Sequence, residues 1–544
     1  MNYGLIYRTV KHLRFTQVYH QIKYRLKKPA YIAMTAPALR QAQGAKGFKT
    51  EPIPRYKSLE GNRFTFLNLE HEFSAWDFTG HGMLWAYNQN YFDWLNQEGM
   101  TATEGCKWID LFNSQLSTLN SQLSLDPYPI ALRSINWIKF FCRYSETATQ
   151  KRLDSLYSQL RLLEKKLEYH LLGNHLLEDA YALYIGAAYF GDERLLKKAN
   201  KLLLGQLKEQ ILPDGAHYEQ SVMYHCILLD RLLDCINIGL AVSGERLEKD
   251  AAAALTANRS TLTELNAAAA LTANRYSLTE LTSFAQRMLG HLESIVWCNG
   301  SIPMLNDSAN GIAPLPNEIF EYAYSLGLKW QAIPMKECGY RKMTTGELEA
   351  IVDVGDIMAT YQPGHSHADT FSFELRVGRK PFIVDTGVST YDKNEYRQHE
   401  RSTDAHNTVV VNGKNSSEVW GGFRIGKRAK VIVRQDSPTS IKASHDGYGK
   451  DGHQRTFQME KGIFKIEDET KCGGLGFLHF APGVTINDYD AKKIETDLAI
   501  IELDNVSKIE MVEGEVYTEY HKPMKTIVAR LYFDRIMTYK FRKR

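Results

Sequence analysis

The chain has 544 residues, 44% hydrophobic and 24% charged, the balance of an ordinary globular protein rather than a disordered or fibrous one; at roughly 150 residues per domain it has room for two large domains or three smaller ones. Its net charge of +3 hides an asymmetry, because Met1 to Thr50 contains no Asp or Glu while Lys and Arg recur from Arg8 to Lys49. Basic residues concentrated at one end, with no nucleic-acid module, exclude nucleic-acid binding.

Residues 1–45 form a basic, amphipathic helical segment in which Val10, Leu13, Val18 and Ile22 stand among Lys, Arg and Tyr. Such a helix either docks on its own domain or lies on an anionic surface. It lacks the uninterrupted apolar core of a secretory signal, and no later segment supplies the ~18 apolar residues of a membrane span. A soluble cytoplasmic protein is expected, or a periplasmic or secreted one if a signal has been removed.

From 46 to about 340 the pattern is helical. Stretches such as LDSLYSQLRLLEKKLEYHLL (153–172) and CILLDRLLDCINIGLAV (226–242) repeat apolar residues every three or four positions, and turns such as FGD and LPDG separate them. AAAALTANRSTLTELN (251–266) is followed by a near copy, AAAALTANRYSLTELT (267–282), identical at thirteen of sixteen positions. Two copies are too few for a solenoid, so the duplication is expected to lengthen one helical hairpin. From 341 to 544 short alternating runs broken by Gly, Asn and Asp predict an antiparallel β domain of stacked sheets. The seven cysteines are scattered without a CxxC pair, against a disulfide framework or a thiolate zinc site.

Three stretches carry candidate chemistry. In LLGNHLLEDAYAL (171–183), Asn174 and His175 open a helix, where Asn174 would otherwise be an N-cap. In PDGAHYEQSVMYHCILLD (213–230), a helix starting after Gly215 would put His217, Ser221 and Tyr224 on one stripe and Val222, Cys226 and Leu229 on another. In GHSHADTFSFEL (364–375), strand alternation would set His365, His367 and Asp369 on one face. His367, Asp385 in FIVDTG and His406 in DAHNTVVVNG together offer two imidazoles and a carboxylate, suited to Zn²⁺ and admitting Mn²⁺. Asp369 would then accept the free ring N–H of a ligating histidine.

Asn174, His175, His217, Glu219 and Tyr224, followed by HSHADT, VDTGVSTY and RSTDAHNTVVVNG, make this chain similar to the heparinase II/III-like polysaccharide lyases, most densely from 173 to 430. The resemblance implies an incomplete α/α toroid followed by an antiparallel β-sandwich, an acidic polysaccharide as partner in the cleft between them, and a divalent metal held by His367, Asp385 and His406. It places catalysis on Asn174 or His175, Tyr224 and His365, with His217, Glu219, Tyr391, Arg397 and Arg401 toward the substrate.

The reaction implied is β-elimination on a uronic-acid polymer of glycosaminoglycan type. Asn174 and His175 would neutralise the uronate carboxylate as an enolate-like state develops. Tyr224 serves as base or acid; a free phenol titrates near ~10 and needs a neighbouring cation for base work. Histidine ordinarily titrates near neutrality, which makes His365 the alternative base, and the two would serve the two C5 epimers from opposite sides of the sugar. A glycan-binding protein without turnover and a metal-dependent hydrolase are the rival readings. The sequence is silent on oligomeric state.

Overall fold

The computed structural model describes residues 3–26, 29–37, 47–116, 123–256 and 261–544; the side chains of 243–276 lie outside the described residues. Two short helices, α1 (Tyr3–Val10) and α2 (Phe15–Leu26), precede a three-stranded sheet of 59–72. Among the described residues, nine further α-helices carry the helical half: α3 (Gly82–Tyr91), α4 (Ala102–Gln115), α5 (Pro127–Arg143), α6 (Gln150–Lys166), α7 (Gly173–Phe190), α8 (Glu193–Gln210), α9 (Val222–Thr256), α10 (Thr261–Ile295) and α11 (Pro316–Ser325).

Their burial follows from sequence. α8 buries the stripe Leu195, Ala199, Leu203, Leu207 and Gln210, with Lys and Glu outward, the pattern of a surface helix. α7, with Ala180, Ala182, Ala187 and Ala188 among larger apolar residues, is buried almost all round. It packs against α5, α8 and α9, and α9 pairs with α10. The duplicated segment falls on the connected ends of α9 and α10; residues 257–260 and the repeat's side chains up to 276 lie outside the described residues.

The β half begins at Tyr340. An eight-stranded antiparallel sheet runs, in spatial order, Val431–Asp436, Ser440–His445, His453–Glu460, Ile463–Glu469, Ile536–Lys543, Ala499–Asp504, Lys493–Thr496, Ile486–Asp490. Against it lie two four-stranded antiparallel sheets. One comprises Tyr340–Thr345, Leu348–Asp353, Phe373–Val377 and Lys380–Ile383, the other Lys508–Val516, Met524–Phe533, Gly474–His479 and Val409–Val411. Phe373, Phe457, Phe464 and Phe541 interlock in the core between the layers, so the fold is helical first and a β-sandwich second.

Docking of the N-terminal segment reverses its expected polarity. Val10, Leu13, Val18 and Ile22 face solvent. Polar side chains make the contacts instead: Arg8 grips both oxygens of Glu418 at 2.7 Å, and Gln17 donates to the carbonyls of Leu171 and Tyr361 at 3.2 Å. Arg14 lies 3.8 Å over the Tyr361 ring. The segment therefore touches both halves.

Candidate active site

Two predicted element boundaries move, and both shape the site. α9 starts at Val222, not after Gly215, so His217, Ser221 and Tyr224 share no helical stripe. Residues 213–221 are a turn-rich loop pinned by an Ile211–His217 bridge, and Ser221 caps α9, its Oγ accepting from Tyr224 N at 3.2 Å. Likewise 364–372 is a loop, the strand starting only at Phe373. Its backbone is claimed by turns and by Arg401, which donates to Ser366 O at 2.9 Å, so His365 and His367 do not share a strand face.

They converge on one carboxylate instead. Asp307 accepts from His365 Nδ1 and from His367 Nε2, each at 2.9 Å, and from both arms of Arg397 at 2.5 and 2.7 Å. Burial opposes its ionisation, but Arg397 and the two imidazoles outweigh burial and hold it well below the carboxylate range. The flanking residues complete a hub. Asn306 Oδ1 accepts from His367 N at 2.9 Å, and Ser308 Oγ accepts from Val222 N at 3.1 Å. Asp307 went unread in the sequence because LNDSANG has no spacing signature; a polar run after apolar SIPML was the only available signal.

With Asp307 on Nδ1, His365 turns Nε2 toward Asn174 Nδ2, 3.4 Å away. The Tyr224 and His365 rings lie in contact, centroids 4.0 Å apart, and Tyr391 Oη donates to Tyr224 Oη and adjoins His365 Nδ1, both at 3.3 Å. Rings in contact do not flank a sugar, so the expectation of two bases on opposite sides is corrected. Loss of solvent, reinforced by Asp307 and Glu219, pushes the Tyr224 phenol above its ordinary range against the opposing pull of Tyr391 and Arg397; it stays protonated.

Asn174 and His175 sit on the first turn of α7. Glu219 accepts from Asn174 N and Nδ2, both at 2.9 Å, a carboxylate placed at a helix N-terminus. Gly173 (φ +61) permits this, since a Cβ there would come 2.6 Å from Glu219 Oε1. His175 Nδ1 meets Glu168 Oε2 at 3.2 Å, and its side chain is 28% exposed. Burial lowers its pKa, yet Glu168 outweighs burial, so the net shift is upward and favours the cation.

Four residues expected on the substrate are withdrawn from it. His217 is buried against Gln210 Oε1 at 2.9 Å and held neutral by burial. Glu219 accepts from Asn174, and its Oε2 lies 3.4 Å from His365 Nε2. Arg397 is enclosed by Asp307, Tyr391 and Phe423, and Arg401 by backbone carbonyls. All four are buried within the protein, and His217 Nδ1 has no hydrogen-bond partner there.

His406 Nδ1 and Asp385 Oδ2 are 2.7 Å apart, and the His367 and His406 ring centroids 5.3 Å. His367 Nδ1 and His406 Nε2 are buried and have no hydrogen-bond partner. Two bare imidazole nitrogens beside a carboxylate fit a divalent ion. The carboxylate supporting His367 is Asp307, not the expected Asp369.

Two family models match this chain: the heparinase II/III N-terminus over residues 141–248 and the heparinase II/III-like C-terminal domain over 328–534. Together they span more than half of it. The chain belongs to the heparinase II/III-like family. With the family comes the enzyme class, polysaccharide lyase. Among solved structures, a heparinase III shares 13% identity over 100% of this chain and 92% of its own, with a TM-score of 0.62. A second, described as a heparinase III gene product, shares 14% over 86% and 80%, with a TM-score of 0.60. The heparan sulfate lyase HepC of Pedobacter heparinus shares 14% over 97% and 87%, with a TM-score of 0.51. At these identities the likeness is one of fold. A search of curated proteins returns no match. Asn306, Asp307 and Ser308 lie between the two matched segments; Asn174, His175, Tyr224, His365 and Tyr391 lie within them.

Proposed function

We propose that this heparinase II/III-like lyase cleaves a uronic-acid-containing, glycosaminoglycan-like polysaccharide by β-elimination, leaving a 4,5-unsaturated uronate. The observation that carries the reading is the contact pair His365–Tyr224, one ring oriented by Asp307 and the other kept protonated, with Asn174 against His365 and the pKa of the adjoining His175 raised.

His175 takes the uronate carboxylate, joined by Asn174 as its second amide hydrogen turns from His365 Nε2 to the sugar, lowering the cost of negative charge as the C5 proton leaves. His365 Nε2 accepts that proton, while Asp307 holds Nδ1–H and balances the imidazolium. Tyr224 donates its proton to the departing O4. Base and acid in contact act on one face of the sugar, which suits uronates whose C5 hydrogen and C4 oxygen lie on the same face, glucuronate among them. His367, Asp385 and His406 would hold Zn²⁺ or Mn²⁺, whose positive charge would bind segment 385–406, and with it Tyr391, to the His367 loop.

The test is the ultraviolet absorbance of a double bond conjugated to the C6 carboxylate, followed on hyaluronan, heparosan, heparan sulfate, chondroitin sulfate, dermatan sulfate and alginate. A rise on the glucuronate polymers, weaker on iduronate-rich dermatan sulfate, is the expected result. Chain shortening without absorbance would replace elimination by hydrolysis, and binding without either would leave a glycan-binding protein.

A further inference from the structure

Behind the loop that leads to Tyr224 lies a second set of donor side chains that elimination does not use. Asp214, His291 and Cys338 each offer one ligand atom, and the three atoms lie within 4.8 Å of one another. All are buried. They come from three places: the 212–216 turn, α10, and the segment entering strand Tyr340–Thr345. His291 Nδ1 has no hydrogen-bond partner although the residue is only 3% exposed. Burial pushes that imidazole down to about 4 against the pull of Asp214, so it stays neutral, with a lone pair to give.

The carboxylate is held in place. Asp214 accepts from Ala216 N at 3.3 Å, Lys336 N at 3.0 Å and Cys338 N at 2.9 Å, and the backbone bonds from Cys338 and Lys336 outweigh the burial that would keep it protonated. Two glycines bring the donors together. At Gly215 (φ +83) a Cβ would stand 2.1 Å from Arg287 O and 3.2 Å from His291 Cβ; at Gly339 (φ +88) it would stand 2.4 Å from Gly355 Cα.

We propose that Asp214, His291 and Cys338 bind one borderline-soft divalent cation, with Zn²⁺ the best match, at a site separate from His367, Asp385 and His406. Nitrogen, oxygen and sulfur donors suit Zn²⁺, whose bonds of about 2.0–2.3 Å require the three atoms to close by up to about an ångström, leaving the fourth position to water. The Cys338 thiol, kept protonated by burial and by Asp214, releases its proton to solvent as the sulfur coordinates, so uptake strengthens as pH rises. The cation ties the segment entering the β half to the helical half. Cys338 O accepts from Gln220 Nε2 at 2.8 Å, and Tyr340 Oη donates to Gln220 O at the same distance, one residue before the cap of the Tyr224 helix.

Sulfur separates the two sites experimentally. Titrating the full-length protein with Co²⁺ should produce a thiolate-to-cobalt charge-transfer band in the near ultraviolet, which histidine and carboxylate ligands alone do not give. Cys338→Ser should lose the band with its circular dichroism intact, and His367→Ala should keep it. No band in the wild type, or a band that survives Cys338→Ser, overturns the proposal. Should Cys338→Ser fail to fold, the wild type decides: alkylation of Cys338, followed by mass spectrometry in mild denaturant, should be slowed by Zn²⁺ and not by Mg²⁺. Equal rates would overturn the site.

Discussion

Asp307 carries two imidazoles and a guanidinium on one carboxylate, so its charge and its shape matter separately. Asp307→Asn keeps the shape but leaves Arg397 buried and unbalanced, which should cost about 3–5 kcal/mol in urea unfolding, together with activity. Tyr224→Phe contrasts with it. The phenol's partner is Tyr391 Oη at 3.3 Å, so stability should change by less than about 1 kcal/mol while product absorbance falls about 10²–10⁴-fold with the proton donor. At His175 the sign follows from the raised pKa. The ring stays cationic above the ordinary histidine range, and activity that needs the cation falls as pH rises through the raised value. Glu168→Gln removes the main upward influence and should move the alkaline limb of kcat/KM to lower pH; an unmoved limb would take His175 out of substrate charge neutralisation. Asn174, His175, Tyr224 and His365 were legible because they sit in recognisable motifs. Asp307 and Glu168 were not, because each is defined by what the fold brings to it from more than one place in the chain.

At the scale of elements, regular structure was legible where periodicity is long and failed where function bends the chain. α6 and α9 follow the apolar spacing of 153–172 and 226–242. HSHADTF imitates strand alternation, yet Phe371 has φ +69 and the segment is a loop locked by Arg401, a side chain from thirty residues further on. PDGAHYEQS imitates a helix start, but Gly215 and Gln220 in left-handed conformations hold it open. Gly387 is the comparable point in the β half. It has φ +72 and bridges to Tyr517, where a Cβ would stand 1.9 Å from the Tyr517 carbonyl oxygen. Because backbone cannot yield as a side chain can, Gly387→Ala should cost more than about 2 kcal/mol, read from the urea midpoint, and should disturb Asp385 two residues away.

Across the whole molecule, the candidate site is assembled where the halves meet: Asn174, His175 and Tyr224 belong to the helices, and His365 and Tyr391 to the β domain. An interface of ordinary interdomain size would permit relative motion. Here the apolar core of the helical half continues into the β half through Tyr340, Ile351, Ala359, Tyr361, Val388 and Tyr520. Polar joints cross the same boundary, Tyr218 Oη to Tyr361 Oη at 2.8 Å and Tyr340 Oη to Gln220 O at 2.8 Å, and α1 and α2 strap it from outside through Arg8 and Gln17. Parting the halves would expose apolar surface and strand the buried partners of Asp307 together, a cost that favours one cooperative transition. Urea titration should therefore bring the helical circular dichroism signal and elimination activity down at one midpoint. Activity lost at a clearly lower midpoint would mean that the halves separate before either unfolds, and that the shared core contributes less than its burial suggests.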